Sequence, residues 1–424
     1  MTASLFITIK EYDHLVYRGQ GNCISKDAFD ELTQLINESP EQDDNDYGNI
    51  FWQRGEKLQA RHFVGVIQTQ DGTQIEILPK ITVTDDKNEE NAELKKILLK
   101  MLREVGELPY KSGQNANQET GDFSLLEMFI RDFLACVDMI VKRGIRSDYT
   151  RQEDNLPFIK GKLLINKQIK YNAVRRERFY VEFDSFEANR PENRLIKSSL
   201  QKILKITQAY NNQRLARELL FVFDEVPYSM DYYQDFQKCS KDRGMHYYQD
   251  SLDWCRLILK DESPLPTAGQ KTFRSFLFPM PQLFERYVEV KLRQKLKPGY
   301  TLKSQSRSES LCKHKDKPMF QLKPDLLIEG NGKKLVLDTK WKVISSHKFE
   351  NNYGISQGDF YQMFAYGQKY LDGQGELFLI YPSNDSFKIP LDVFTFCDNL
   401  KLWVVPFNFE TDELAMNIDA LNGS

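Results

Sequence analysis

Two acids and one lysine near the C-terminal end have the types and spacing for cation-assisted chemistry on a phosphate. Residues 323–342 read KPDLLIEGNGKKLVLDTKWK. Leu326, Leu327 and Ile328 are a short apolar run. Residues 333–341 then alternate, with Leu335, Leu337, Thr339 and Trp341 on one side and Val336, Asp338 and Lys340 on the other, the period of two that marks a strand. Asn331-Gly332 lies between the runs and is a strong hairpin signal, because both central residues of a type I′ turn need positive φ. With that pair at the tip, Gly330 faces Lys333. The same register carried outward sets Asp325 opposite Asp338, with Lys340 on the same face two residues on. Like charges across a hairpin repel, their Cβ atoms about 4.5–5.5 Å apart, and a divalent cation is the natural compensation. Mg²⁺ is commonly held by one or two carboxylates and keeps waters and a phosphate oxygen. The backbone carbonyl of Thr339 is a further candidate ligand. A lysine beside the acids is suited to orient or deprotonate a water, or to steady a developing negative charge. The chemistry is phosphodiester hydrolysis; the bland alternative is a solvated hairpin with scattered charges.

The same residues resemble the PD-(D/E)XK motif of restriction-endonuclease-like nucleases, in Pro324-Asp325 followed by Asp338-Thr339-Lys340. Upstream, LFERYVEVKL at 283–292 resembles the first helix of that fold, with Glu285 at its acidic position. With Phe284, Val288 and Leu292 inward, a surface salt bridge would account for Glu285 equally well. Downstream, DFYQMFAYGQKY at 359–370 resembles the helix after the catalytic strand, with Gln362 and Tyr366 one turn apart. In the family such a helix holds this side chain near the metal or the scissile strand. ILPKI at 77–81 and FEANRPENRLIKSSL at 186–200 extend the likeness along the chain. The order of parts is similar to the McrC family, the nuclease subunits of McrBC-type modification-dependent (5-methylcytosine, type IV) restriction systems. The resemblance implies a cytoplasmic endonuclease that cuts double-stranded DNA with Mg²⁺, or Mn²⁺ in its place. It also implies a partner, an McrB-like GTP-hydrolysing AAA+ hexameric ring. GTP is bound by that partner, the N-terminal region of this chain docks in the ring and stimulates GTP turnover, and the modified cytosine is read by the partner.

Composition fits a multidomain soluble chain. The 424 residues are 41% hydrophobic and 28% charged, enough for two or three domains. No apolar run is long enough to span a bilayer, and the first residues lack the basic region and apolar core of a signal peptide. Six cysteines and five histidines are scattered without ligand spacing, so neither zinc nor a disulfide framework is expected. No Gly-x-x-x-x-Gly-Lys-Ser/Thr occurs; Ala268-Gly269-Gln270-Lys271-Thr272 echoes only its end, so the chain should not hydrolyse nucleotides itself. No serine or cysteine sits in a nucleophile motif.

The predicted architecture is mixed α+β and α/β in three parts. Residues 1–110 read as a β-rich partner-docking domain, a small barrel or curled sheet from alternating segments and an Asp71-Gly72 turn, with one helix at 26–37. Residues 111–265 read as a helical and basic middle region. A polar loop at 111–122 precedes a helix of about 20 residues opened by a Ser124/Glu127 capping box, and further helices start near 190, 212 and 247. A linker at 264–269 leads to the nuclease domain, 266–424, with a first strand at 300–306, a lysine-rich loop at 308–317 and a polar loop at 343–358 able to cover a substrate. The net charge of −3 does not advertise nucleic-acid binding, yet residues 141–180 hold eleven basic residues against four acidic ones, interleaved with aromatics. Arg143, Arg146, Lys160, Lys162, Arg175 and Arg176 are the candidate DNA contacts, which would neutralise phosphates without reading sequence; an acidic protein partner or an ordinary solvated face are the alternatives.

Three functions compete on these residues. The chain is a metal-dependent DNA endonuclease subunit driven by a separate motor, or a non-catalytic adaptor that grips DNA and activates the motor, or a stand-alone metal-dependent nuclease.

Overall fold

Strand-forming alternation near the N-terminus is realised in two small sheets. The computed structural model describes residues 6–38, 50–81, 87–109, 124–239, 243–259 and 274–421. The chain divides into two units, Met1–Leu125 together with Ser263–Ser424, and Leu126–Glu262. The expected domain limits at 110/111 and 265/266, the loop at 111–122 and the linker at 264–269 lie outside the described residues. In the first unit, strands Phe6–Lys10, Gln74–Leu78, Phe63–Gln68 and Arg274–Pro279 make one four-stranded sheet in that order. Asn22–Cys23, His14–Val16, Lys57–Ala60 and Phe51–Arg54 make the other. Apolar residues of both sheets share a core with Ala28, Phe29 and Leu32 of helix Lys26–Glu38. The expected N-terminal sheet is therefore completed by a strand from far along the chain: Phe276 pairs with Val66, and Gly65 lets it approach. Gly65 has φ +132°, and a Cβ there would sit 1.9 Å from the Phe276 carbonyl oxygen, so only glycine fits.

The C-terminal part of this unit is built on a seven-stranded mixed sheet. Its order is Tyr300–Ser304, Leu326–Gly330, Lys333–Thr339, Gly375–Pro382, Leu400–Asn408 and Phe394–Cys397, with Glu413–Leu414 added beside Leu400–Asn408. The hairpin register is the one its turn dictates: Gly330 pairs with Lys333 and Leu326 with Leu337, and Asn331 and Gly332 have φ of 49° and 73°. Strand Lys333–Thr339 is central and buried on both faces, which its simple alternation understated. Its next neighbour is parallel, so the chain must cross over, and helix Gln357–Tyr370 is that connection. Ser356 caps the helix by accepting the Asp359 N–H at 3.1 Å. Leu327 and Val336, opposite each other in the hairpin, pack with Met363 and Tyr366 of this helix. Helix Met280–Gln294 brings Phe284 against Trp341, ring centroids 5.2 Å apart, and against Phe407 and Phe409.

The lysine-rich segment at 308–317 is not a loop. Ser310–His314 and Lys317–Gln321 form a two-stranded ribbon. Lys315 and Asp316 both take positive φ, 49° and 59°, a tight turn reached without the usual glycine.

The second unit is helical with one three-stranded sheet. Helices Leu125–Arg143, Pro191–Ile206, Tyr210–Val222 and Gln249–Leu259 surround a core that includes Phe129, Leu195 and Trp254. Glu127 does more than open its own helix: its carboxylate accepts from the Gln208 N–H and the Asn212 side chain, at 2.6 and 2.7 Å, closing the start of Tyr210–Val222. The sheet, Asp148–Leu156, Phe179–Glu187 and Lys162–Leu163 with helix Ile165–Asn172, carries most of the basic segment.

Candidate hydrolytic site

The hairpin ends where the acids stand. Asp325 immediately precedes the last paired residue, Leu326, and Asp338 immediately follows its partner, Leu337, so the ladder register delivers the two carboxylates to the same end of the ribbon. Asp325 is half-buried and its Oδ2 accepts from the backbone N–H and the hydroxyl of Thr339, at 2.7 and 2.8 Å. Those bonds fix the carboxylate and leave Oδ1 uncommitted among the described residues. Asp338 is 1% exposed. Its Oδ1 is buried with no hydrogen-bond partner, and its Oδ2 contacts the Lys340 ammonium as an ion pair.

Charge at this spot is expensive, and the carboxyls respond. Burial, with the neighbouring Asp325 charge adding to it, pushes Asp338 up to about 7, against the pull of Lys340. Burial likewise raises Asp325 above the usual carboxylate range, although Lys340 and the Thr339 bonds oppose it. For Lys340 burial favours the neutral amine, but Asp338 and Asp325 outweigh it and hold the ammonium above its ordinary value. Two acids and one cation thus leave the cluster one negative charge in excess when all are ionised.

Helix Gln357–Tyr370 positions the lysine. The Lys340 ammonium donates to Gln362 Oε1 at 3.2 Å, the Gln362 amide donates to Tyr366 Oη at 2.7 Å, and Tyr366 donates to the Lys323 carbonyl at 2.9 Å. Gln362, which the resemblance placed near the metal or the scissile strand, is hydrogen-bonded to the lysine. Glu285 is held differently: burial, then the Asp325 charge, raise it, and it accepts from Gln305 at 2.9 Å. The Gln305 N–H in turn donates to the Asp325 carbonyl at 2.8 Å. Gln305 bridges the two, and the sequence gives no sign of it: its left-handed φ of 48° falls on a residue with no turn propensity. Asp359 is a second residue without a signal in the sequence, its charge raising both Asp338 and Lys340.

The donor set suits a hard divalent cation. A buried carboxylate with an unpartnered oxygen, beside a second, half-buried carboxylate, is what Mg²⁺ or Mn²⁺ seeks. Among the described residues no group of three or more His, Cys, Asp or Glu is gathered for a metal, so the fit is to a site of two carboxylates completed by water and substrate oxygens. Arg143, Arg146, Lys160, Lys162, Arg175 and Arg176 are in the other unit, all exposed.

The fold and the comparisons agree on the class: a mixed α/β multidomain component of a restriction system. A family model described as "McrBC 5-methylcytosine restriction system component" matches residues 58–382, and the chain belongs to that family. It is 23% identical over 257 residues, 58% of its length and 73% of the relative's, to the type IV methyl-directed restriction enzyme EcoKMcrBC of Escherichia coli K12. Its fold is similar to a chain in the assembly of Thermococcus gammatolerans McrB AAA+ hexamers with bound McrC, with a TM-score of 0.74, 21% identity and coverage of 98% of this chain and 97% of that one. A chain of the T. gammatolerans McrBC complex is similar with a TM-score of 0.52 and 23% identity, over 68% of this chain and 87% of that one. No described helix is long and apolar enough to cross a membrane.

Proposed function

We propose that this chain is the DNA endonuclease subunit of an McrBC-type, modification-dependent restriction complex, with a PD-(D/E)XK site made by Asp325, Asp338 and Lys340. The observation that carries the reading is the buried Asp338 carboxylate with an uncommitted oxygen, set beside Asp325 and an ammonium. Asp325 and Asp338 would hold Mg²⁺ or Mn²⁺, with the Thr339 carbonyl as a further ligand. When bound, the ion supplies Lewis-acid polarisation of the phosphate and a more acidic water. Lys340, fixed by Gln362, orients the attacking water and balances the negative charge that grows on the phosphate oxygens. Thr339 keeps Asp325 in place, and Glu285 reaches the site through Gln305.

The relatives' names support a motor partner. McrC is bound to McrB AAA+ hexamers in the T. gammatolerans assembly, and we infer that this chain docks on an equivalent GTP-hydrolysing ring through regions N-terminal to the nuclease segment, stimulates its GTPase and receives double-stranded DNA from it in the cytoplasm. GTP belongs to the ring, since this chain has no P-loop. The test is the double variant Asp338→Asn with Lys340→Ala in the reconstituted complex with GTP, Mg²⁺ and methylated DNA. Cleavage should vanish while ring binding and GTPase stimulation persist. Stimulation without cuts by the unmodified chain would leave only the adaptor reading, and equal cutting by the chain alone would favour a stand-alone nuclease.

A further inference from the structure

The ribbon Ser310–Gln321 is a projection without a partner strand. It pairs with no other strand among the described residues, and every residue from 311 to 320 is exposed. A two-stranded hairpin is marginal by itself in water, yet this one leaves Leu311 45%, Met319 42% and Phe320 69% exposed. Phe320 also has φ 57°, a left-handed conformation that a bulky residue avoids. Backbone strain of this kind persists only where the surroundings impose it. Lys313, Lys315 and Lys317 lie along the ribbon and make no ion pair among the described residues; Arg307 and Lys323 flank it.

The ribbon's feet are tied to the hydrolytic site. Tyr370 Oη bonds the carbonyls of Ser306 and Leu322, at 3.0 and 3.1 Å, one on each foot. The Leu322 N–H donates to the Glu309 carbonyl at 2.9 Å. Tyr370 follows Gln362 and Tyr366 at successive helical turns. One helix therefore holds the site lysine through Gln362, the segment before Asp325 through Tyr366, and the ribbon through Tyr370. From Gln321 to Lys317 a strand rises about 13 Å, and a duplex major groove about 12 Å wide admits a two-stranded ribbon.

We propose that this ribbon is a duplex-DNA clamp. It lies in a groove beside the phosphate to be cut, Lys313, Lys315 and Lys317 on backbone phosphates and Phe320 and Met319 against sugars or base edges. It rests on the hydrolytic reading, because the geometry matters only if Asp325, Asp338 and Lys340 act on that DNA. Unpaired cations alone fit any polyanion; their attachment to the helix that builds the site selects the duplex over an acidic protein.

The test measures binding of a fluorescent duplex to the full chain against salt, for the unmodified protein, the triple variant Lys313→Ala/Lys315→Ala/Lys317→Ala, and Phe320→Gly, which suits the left-handed backbone. The triple variant should lower the slope of log affinity against log salt by about 2–3, close to one for each phosphate no longer neutralised, with an unchanged melting temperature. Phe320→Gly should weaken binding several-fold at an unchanged slope. Slopes and affinities equal to the unmodified chain in both variants would overturn the clamp, as would a loss of ring binding at unchanged DNA affinity. Asp338→Asn separates the two readings through cutting alone: with the motor, GTP and Mg²⁺ present it should no longer cut the duplex. Cutting by Asp338→Asn would overturn the hydrolytic reading while the ribbon slopes still judged the clamp.

Discussion

The acid pair and the basic face at 141–180 are both dense in charge, and they treat it in opposite ways. At the acid pair, like charges converge at the end of a hairpin, Asp338 is sealed from solvent with an oxygen left bare, and burial lifts Asp338 and Asp325 out of the usual carboxylate range. On the basic face, Arg143, Arg146, Lys160, Lys162, Arg175 and Arg176 are exposed and make no ion pair among the described residues. Lys160 covers the ring of Phe183, 4.0 Å from its centroid, while neighbours such as Lys167 are neutralised by Glu153. A surface charge in water costs little to hold and contributes little to stability. A buried one costs several kcal/mol unless matched. Chemistry is therefore to be sought at the acids, where buried carboxyls with raised values stand beside one another and beside a cation.

Variants on each side of that divide should behave differently. Lys340→Ala shares the largest expected effect with Asp338→Asn, a fall in cleavage of about 10²-fold or more, read as single-turnover rate with the motor present; an unchanged rate would demote the lysine to a counter-ion. Asp338→Asn should abolish cleavage and also raise stability by about 1–3 kcal/mol near pH 8, because it removes an ionised, buried repulsion. Denaturant melts check this, and a loss of stability would mean the ion pair with Lys340 outweighs the burial.

Glu11 tests the same logic away from the acids. It is buried, accepts from the Trp341 indole N–H at 2.7 Å and from the Lys80 N–H at 3.1 Å, and burial pushes it up to about 7 despite both bonds. A carboxyl that binds its proton more tightly folded than unfolded favours the folded state at low pH. That advantage is fully present below the unfolded value of 4.5 and is lost as the pH climbs to about 7. Glu11→Gln should therefore flatten the fall in stability between those limits by about 3 kcal/mol, read from denaturant melts across that range. The smallest effect belongs to the basic face. Arg175→Ala with Arg176→Ala should change stability by less than about 0.5 kcal/mol. If that face meets DNA, the salt slope of binding drops by up to about 2; an unchanged slope removes the face from the DNA contacts and leaves a protein partner or a solvated surface.

What is legible in the sequence is local. Asn331-Gly332 sets the register, the register puts Asp325 and Asp338 at one end, and only the resemblance to a known helix draws attention to Gln362. The helix at 283–292 follows from its apolar stripe. What stays hidden depends on partners far along the chain. Nothing near Arg274 announces that it will complete a sheet begun at Phe6. Trp341 reads as one more residue of an alternating strand, yet its indole bonds Glu11 across 330 positions. The ribbon is concealed because its lysines at 313, 315 and 317 show no apolar period, and its turn uses Lys315-Asp316 where a glycine would be the signal.

If Asp325 and Asp338 together hold a divalent ion, calorimetric titration of the full chain with Mn²⁺ will show it. The unmodified chain should bind Mn²⁺ with a heat that Asp325→Asn and Asp338→Asn each abolish, at unchanged secondary structure. Equal binding by all three proteins would refute a shared ion at these two acids.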